Sequence, residues 1–218
     1  MKPRTTKLEC PSCGAAGEKE MQKRMCVSQQ PALKEGVLSG AYFQWECPGC
    51  EKRFFFEDVF LYNDDENMFM VYLVPGFGEP AHEVPTILKT RDEYDTGNST
   101  LRITASYIDF VEKIRVLQAG LDDRVIEAMK VIYSQAYHQT HGENIYNMIF
   151  EQTADDGTLV FAVFLENEDF AVDIPADAYE QTKKDFLLLF GETQDSGFIK
   201  IDQEWLAQTL KSADAADE

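Results

Sequence analysis

The stretch LECPSCGAAG at residues 8–17 and its near copy WECPGCEKRF at residues 45–54 decide the fold of the N-terminal part. Each holds two cysteines separated by two residues, with proline directly after the first cysteine. A CxxC turn places two thiolates on one side of a tight loop, and two such turns supply the four sulfurs that a tetrahedral zinc ion prefers. We therefore predict a structural Zn²⁺ site made of the cysteines of both turns, Cys10, Cys13, Cys47 and Cys50.

The residues around the second turn favour a short β-hairpin. AYFQWE precedes the turn and KRFFFED follows it, and both segments are rich in residues suited to strands. On such a ribbon Phe43 and Trp45 share one face, while Phe54 and Phe56 share another. We expect these aromatic side chains to cover the small core around the metal.

Other chemistry of the cysteines stays open. A redox dithiol is one alternative, because CPxC occurs in thiol oxidoreductases, although such motifs are normally single and open a helix. Iron–sulfur clusters and other metals are further alternatives. Four thiolates leave no position for water, so we predict no catalytic and no cofactor-binding residue. Cys26 is expected in apolar packing, and the scattered His82, His138 and His141 are expected on the surface or in loops.

The charge of the chain is acidic and unevenly distributed. The formal net charge is -19 for 218 residues. Residues 1–60 carry nine Lys and Arg against eight Asp and Glu, whereas the remaining residues carry eleven against 31. Such a surface repels phosphate backbones and anionic lipids, so neither nucleic acid nor membrane is expected as a partner. No signal peptide and no apolar run of about 18–20 residues is present, which favours a cytoplasmic protein.

The middle of the chain predicts a second hairpin and a pair of helices. FLYNDDENMFMVYLVP (60–75) is typical of strand, turn and strand, continuing the sheet begun by the ribbon. TASYIDFVEKIRVLQAG (104–120) has the apolar spacing of an amphipathic helix, and Asp122 can cap a second helix through Gln135. We interpret Asp123 and the neighbouring charged residues as capping and surface charge pairs, with a partner-contact site as the alternative; these residues are Asp122, Asp123, Arg124 and Glu127.

The C-terminal part predicts an antiparallel meander followed by helices. IYNMIFEQ, TLVFAVFL and FAVDI have strand composition and are separated by turn residues. Pro175 then opens a helix, FIKI forms a short strand, and Asp202 caps a last helix. We interpret the paired aspartates of the predicted turns as solvated rather than catalytic, and these are Asp64, Asp65, Asp155 and Asp156.

Together these features predict an α+β fold with an N-terminal zinc ribbon extended into an antiparallel β-sheet, a helical hairpin and a C-terminal antiparallel α+β part. The predicted organisation is a zinc-ribbon-like β domain at 1–75, a long connection at 76–103, a helical hairpin packing on the ribbon domain at 104–138, a C-terminal α+β domain at 143–211 and a disordered tail at 212–218.

Three separated motifs in this order resemble the CpXC domain family, a bacterial group named for its two Cys-Pro-x-Cys motifs. They are the paired CPSC and CPGC, then FLYNDDENMFMVYLVP, then EKIRVLQAGLDDRVIEAMK, so that the resemblance covers roughly residues 8–135. It implies a metal-binding N-terminal part and assigns the metal to the four motif cysteines. It implies no activity.

The sequence favours a cytoplasmic, non-enzymatic zinc-binding protein that contacts protein partners, and predicts neither the partner nor the oligomeric state. One alternative is an enzyme with a site between the ribbon and the C-terminal domain, for which the sequence names no catalytic residue. The other is a nucleic-acid-binding zinc ribbon, supported by the basic residues Lys2, Arg4, Lys7, Lys23, Arg24, Lys52 and Arg53.

Overall fold

The computed structural model describes residues 3–78, 99–190 and 197–214. The chain divides into two compact units, Met1–Phe110 and Val111–Glu218, and the division falls inside a helix. Helices and strands both contribute to the fold, so the predicted α+β class is confirmed. No helix in the described ranges is both long and apolar enough to cross a membrane.

The N-terminal unit consists mainly of short strands. In chain order the elements are β1 (Arg4–Glu9), β2 (Ala16–Met21), β3 (Arg24–Cys26), α1 (Pro31–Leu38), a 3-10 turn (Ala41–Phe43), β4 (Gln44–Glu46), β5 (Arg53–Phe55), β6 (Phe60–Asp64), β7 (Phe69–Leu73), β8 (Thr100–Thr104) and the start of α2 (Tyr107–Gln118).

Two antiparallel hairpins carry the cysteine turns. β1 pairs with β2 so that Glu9 lies opposite Ala16, and β4 pairs with β5 so that Glu46 lies opposite Arg53. Each CxxC segment therefore lies at the tip of its own hairpin, as the sequence predicts. The segment AYFQWE differs from the prediction at its beginning, where Gly40 adopts a φ of 81° and the chain makes a 3-10 turn before β4.

The four-stranded sheet of the N-terminal unit does not extend the cysteine hairpins, as the sequence had predicted that it would. β6 and β7 form the predicted antiparallel hairpin, but they pair with β3 and β8 in the order β3-β6-β7-β8 and not with either cysteine hairpin. The two outer pairs are parallel. All residues of β7 are buried, and β7 pairs with β6 on one edge and β8 on the other, so that it is a central strand of this sheet.

The long connection predicted over residues 76–103 is wrong at its end. Residues 100–103 belong to β8, where Leu101 and Ile103 alternate with polar residues in the period of a strand. Residues 79–98 lie outside the described ranges. Helix α1, which begins at Pro31, had no counterpart in the predicted elements.

An aromatic cluster fills the core of the N-terminal unit. The ring of Phe43 lies 5.6 Å from that of Phe60 and 5.4 Å from that of Tyr107, in edge-to-face arrangements that favour aromatic pairs. Phe43 is fully buried there and is absent from the group that packs around the cysteines. The expectation that Phe43 covers the metal is therefore wrong, because the 3-10 turn moves it out of the strand.

The C-terminal unit continues α2 and contains α3 (Asp123–His141), β9 (Asn147–Thr153), β10 (Leu159–Phe164), β11 (Asp169–Ile174), α4 (Ala176–Phe190) and α5 (Gln203–Asp214). The three strands form the predicted antiparallel meander in the order β11-β10-β9. The Asp122 carboxylate caps α3 by accepting a hydrogen bond from the backbone N–H of Arg124 at 3.0 Å, and the helix continues beyond Gln135. FIKI forms no strand in the described part of the chain.

One of the aspartates expected in solvent is buried. Asp64 is 0% exposed and accepts hydrogen bonds from the backbone N–H and the side-chain amide of Asn67, at 3.1 and 2.9 Å. Asp65 accepts a hydrogen bond from the backbone N–H of Ser28 at 3.1 Å. Both carboxylates therefore hold the chain in place around the turn between β6 and β7, and Asp64 does so out of contact with water.

Candidate metal centre

The two hairpin tips bring four sulfur atoms together. The Sγ atoms of the cysteines in both turns all lie within 4.8 Å of one another. Cys10 Sγ lies 3.6 Å from Cys50 Sγ, and Cys13 Sγ lies 3.6 Å from Cys47 Sγ. A tetrahedral zinc ion with bonds of ~2.3 Å separates its sulfur ligands by ~3.8 Å, so the donor set and its spacing fit one such ion. These four cysteines can therefore hold a metal ion.

Both turns use the same backbone hydrogen bonds. In the first turn, the Cys10 carbonyl accepts from Gly14 N–H at 2.9 Å; in the second, the Cys47 carbonyl accepts from Glu51 N–H at 2.9 Å. Gly14 and Glu51 occupy equivalent positions, with φ values of 71° and 59°. Glycine takes this left-handed conformation without strain, whereas Glu51 adopts it at a steric cost. The repeated sequence thus produces the same turn twice.

Gly49 serves close packing rather than a positive φ. A Cβ atom at Gly49 would lie 2.9 Å from the Cβ of Ala15 and 3.5 Å from Cys13 Sγ, so a side chain there would press on the opposite turn. Its backbone N–H donates to Cys47 Sγ at 3.3 Å. Such N–H groups directed at sulfur stabilise a thiolate. The absence of a side chain at Gly49 therefore allows the two turns to approach each other.

Aromatic side chains cover one side of the sulfur cluster. Cys10 and Cys47 are buried among Trp45 and the partly buried Phe54 and Phe56. A Cβ atom on Gly17 would lie 2.5 Å from the Trp45 ring, so the indole packs directly on the backbone of the first hairpin. The expected aromatic cover is present for these three residues, and it joins the two hairpins.

The four cysteines differ in their exposure to solvent. Cys10 and Cys47, which come first in their turns, are 2% and 1% exposed. Cys50 is half-buried, and Cys13 is exposed. One residue of the cluster is therefore accessible to solvent while two are enclosed.

Backbone hydrogen bonds and neighbouring sulfurs shift the pKa values of the Cys10 and Cys13 thiols in opposite directions. Burial raises the pKa of the Cys10 thiol, but hydrogen bonds from the backbone of Ser12 and Cys13 outweigh burial and lower it to about 7. A backbone hydrogen bond from Ala15 lowers the pKa of Cys13, yet the sulfurs of Cys10 and Cys47 raise it to about 12. The first thiolate forms easily and a later one is opposed by repulsion, which a bound cation would relieve.

The remaining candidate residues lie outside this cluster. Among the described residues, no other set of three or more Cys, His, Asp or Glu converges in a way that could hold a metal ion. Cys26 is half-buried, and its sulfur accepts from Asn63 Nδ2 at 3.7 Å. The ring of His141 stacks on Tyr137 with centroids 4.4 Å apart. His82 lies outside the described residues.

Two of the basic residues that suggested a nucleic-acid surface are engaged with carboxylates. Lys23 forms an ion pair with Asp58, and Arg53 Nε lies 2.9 Å from Glu46 Oε2. Their charges are matched within the unit, so these two residues give little support to a phosphate-binding face.

A second cluster of ionisable groups is buried in the C-terminal unit. Lys113 Nζ lies 3.0 Å from Asp123 Oδ2 and 3.7 Å from Glu127 Oε1. Lys130 Nζ lies 2.7 Å from Glu112 Oε2 and 3.2 Å from Glu127 Oε1. No side chain of the five is more than 8% exposed. The interpretation of Asp123 and Glu127 as surface charges is therefore wrong.

Backbone groups complete this buried network. Glu112 Oε1 accepts from the backbone N–H of Phe150 at 2.6 Å, and Lys113 Nζ donates to the carbonyl of Ile201 at 3.0 Å. Burial and the nearby carboxylate of Glu127 raise the pKa of Glu112, although Lys130 opposes this shift. The network ties α2 and α3 to β9 and to the segment before α5. Sequence reasoning missed it because its backbone partners are distant in the chain.

Comparison with known proteins identifies the family but no individual relative. No curated protein and no solved structure matches this chain. The family model described as "CpXC protein" matches residues 8–130, which include both cysteine turns and all five residues of the buried ionic network. The match spans more than half of the 218 residues, and the chain therefore belongs to the CpXC protein family.

Proposed function

We propose that this protein is a cytoplasmic zinc-binding protein in which a structural four-cysteine site holds the two N-terminal hairpins together, and that it acts as a non-enzymatic protein-interaction module. The observation that carries the zinc assignment is the convergence of four sulfurs, with spacings of 3.6 Å between turns, from two separate hairpins. A reducing compartment keeps such thiols available, and all five cysteines are unbridged.

The spacing of the sulfurs favours one ion over a cluster. Thiolate ligands suit Zn²⁺, Cu(I) and iron–sulfur centres. A multi-iron cluster places several irons and bridging sulfides between its cysteines, whereas here all four Sγ atoms lie within 4.8 Å of one another. That volume accepts a single ion in tetrahedral geometry. Zinc is the ordinary occupant of such closed sites.

The ion is needed because each hairpin is too small to be stable alone. A single two-stranded ribbon is marginal in water, and β4 and β5 have three residues each. Among the described residues that pack around the cysteines, Trp45 is buried, whereas Phe54 and Phe56 are only partly buried. Zinc-binding energy becomes folding energy in this situation.

Metal analysis of the purified protein tests the zinc assignment. We expect about one zinc per chain in a reduced sample prepared without chelator, as a closed four-thiolate site requires. The variant Cys26→Ser should keep the ion, because this sulfur lies outside the cluster. A zinc content near zero, or iron in place of zinc, would overturn the assignment.

An apolar groove in the C-terminal unit supports the interaction role. It encloses about 250 Å³ between α3, α4 and α5, and apolar side chains such as Val131, Phe186 and Leu206 line it. Ile132 and Leu210 at the same groove are 55% and 40% exposed. Exposed apolar residues that form a groove are typical of sites that receive an amphipathic helix.

Charge selects the proposed occupant of this groove. Residues 111–218 carry eight Lys and Arg against 22 Asp and Glu, a net charge of -14. A second copy of the chain would meet this unit with the same charge, whereas a helix with an apolar face and basic flanks would be attracted. The occupant we propose is therefore a basic amphipathic helix of another protein.

A synthetic Leu- and Lys-containing helical peptide is the probe for this surface. In an NMR titration we expect shift changes confined to the groove, weakened by salt and lost in Ile132→Glu. Leu188→Glu is the matched control, because Leu188 is 86% exposed on α4 and is not a groove residue. Equal loss in both variants would contradict the docking site, and concentration-dependent self-association in ultracentrifugation would assign the groove to a second copy.

A further inference from the structure

We propose that Cys13 is the sulfur of the metal-loaded site that reacts first with a peroxide, and that oxidation joins Cys13 to Cys47 and releases the ion. This inference rests on the proposed zinc. It names a modification site and predicts which of the disulfides available to four close sulfurs forms first.

The surroundings of the four sulfurs differ in access. Cys13 is exposed, whereas Cys10 and Cys47 are 2% and 1% exposed. The apolar group that covers the cluster includes Cys10, Cys47 and Cys50 but not Cys13. A Cβ atom on the adjacent Gly14 would meet nothing within 4 Å, so the space beside Cys13 is open. A dissolved oxidant therefore reaches this sulfur before the others.

The chemistry of the first step is a transfer of one oxygen atom. The thiolate sulfur of Cys13 attacks one oxygen of hydrogen peroxide, the O–O bond breaks, and hydroxide leaves and takes up a solvent proton to become water. The product is a sulfenic acid at Cys13, in which the sulfur has lost two electrons to the peroxide. A sulfenic acid is a poor ligand, so the ion is then held by three thiolates.

The second step is set by the distance between the turns. Cys47 Sγ lies 3.6 Å from Cys13 Sγ, and the glycine at position 49 places no side chain beside the pair. The Cys47 thiolate attacks the sulfenic sulfur, an S–S bond forms, and hydroxide leaves to become a second water. Two sulfurs have then given up two electrons in total, and one peroxide has become two waters. The two thiolates that remain are too few to retain the ion.

The bond formed in this way would link the two hairpins. Cys13 belongs to the first turn and Cys47 to the second, so their disulfide replaces the ion as the connection between them. A disulfide within one turn, between Cys10 and Cys13, would leave the hairpins separate. The identity of the first disulfide therefore decides whether the oxidised ribbon stays together.

Zinc release and peptide mapping test the inference on the full chain. Zinc content is measured first, so that an empty site counts against the proposed function and not against this inference. Loaded protein is then treated with hydrogen peroxide while a chromophoric chelator reports the released ion. We expect about one zinc released per peroxide consumed, since two thiolates are lost together. Mass mapping after alkylation should find Cys13 joined to Cys47, with Cys26 still reduced. A Cys10–Cys13 bond as the first product, or full zinc retention after oxidation, would overturn the inference.

A pair of histidine variants tests which sulfur is attacked. Imidazole nitrogen can replace a thiolate on zinc, so Cys13→His and Cys50→His are both expected to bind the ion. We expect peroxide-driven release to slow at least about tenfold in Cys13→His and to change less than about twofold in Cys50→His, because only the first variant removes the exposed thiolate. Equal slowing of zinc release in both variants would contradict the assignment of Cys13. If either variant lacks zinc, the first disulfide found by mass mapping of the unsubstituted protein tests the assignment instead.

Discussion

Each of the two compact units buries ionisable side chains, and the two clusters differ in whether positively charged side chains are among their members. In the N-terminal unit, Cys10 and Cys47 are buried, and their sulfurs lie within 4.8 Å of those of Cys13 and Cys50. In the C-terminal unit, Lys113 and Lys130 lie among three carboxylates. Under the proposed zinc assignment, the first cluster depends on a cation from solution, whereas the second carries its own cations. Removal of the ion should therefore affect one unit and a lysine substitution the other.

The chain provides a separate optical reporter for each unit. It has two tryptophans, Trp45 against the cysteine cluster and Trp205 near the core of the C-terminal unit. Trp45→Phe and Trp205→Phe variants therefore leave one emission signal each. Unfolding can then be assigned to a unit within the full-length protein.

The largest effect is expected when a ligand of the first cluster is removed. Cys10→Ser should lose the ion and unfold the ribbon, because zinc-binding energy of roughly 10–16 kcal/mol in such domains is folding energy. Trp45 emission should shift to the red, and Trp205 emission should stay unchanged. A native Trp45 spectrum in a zinc-free variant would show that the ribbon folds without metal.

The next effect concerns the second cluster. Lys130→Met removes the ammonium 2.7 Å from Glu112 and 3.2 Å from Glu127 and leaves buried carboxylates without compensation. We expect a loss of about 3–5 kcal/mol in the free energy of unfolding, measured with urea through Trp205 emission. Zinc content should not change. Lys184→Met, at an exposed position of α4, is the control and should change stability by less than about 0.5 kcal/mol.

A smaller effect is expected from a single methyl group between the two turns. Gly49→Ala places a Cβ 2.9 Å from the Cβ of Ala15 and should lower the stability of the ribbon by about 1–3 kcal/mol, together with its zinc affinity. Gly36→Ala is the control, since its Cβ would meet nothing closer than 3.9 Å inside α1. That variant should be neutral or more stable by up to about 1 kcal/mol. An equal loss of stability in both variants would show that the contact with Ala15 is not the cause of the loss.

The smallest effect is a pH dependence confined to the C-terminal unit. Burial raises the pKa of Glu112 above its ordinary value, so the folded unit binds this proton more tightly than the unfolded chain. The resulting stability is fully present below the ordinary glutamate pKa of about 4.3 and is lost as pH rises through the raised pKa. Urea titrations between about pH 5 and pH 8, followed through Trp205, should show this decline. Glu112→Gln should make the free energy of unfolding less dependent on pH. An unchanged pH dependence in this variant would assign the effect to another group.

The elements that were predicted correctly have a recognisable pattern among residues close together in the sequence. The doubled CxxC spacing predicted two hairpin tips and a four-cysteine cluster, and the strand composition and turn residues after residue 142 predicted the meander. Helix α1 was missed because its start, Gln30, lacks a side-chain cap, and β8 because it is short and flanked by a long polar segment. Both are held by contacts with residues distant in the chain.

The sequence did not predict the buried ionic network of the C-terminal unit, because this network also depends on residues distant in the chain. A carboxylate at the start of a helix, such as Asp123, is ordinarily a capping residue in solvent. Its burial depends on Lys113, and the position of that lysine depends in turn on the carbonyl of Ile201. Likewise, Gly49 lies inside a turn by sequence, and only the facing Ala15 reveals that the absence of a side chain matters there.

The separation of the paired sulfurs has a consequence for biosynthesis. Cys13 and Cys47 are 34 residues apart, and Cys10 and Cys50 are 40 apart. A nascent chain leaving the ribosome therefore presents the first pair of thiols well before the second pair exists. Two thiolates bind an ion far more weakly than four. Under the proposed zinc assignment, the site would therefore take up its ion only after translation of the second turn is complete.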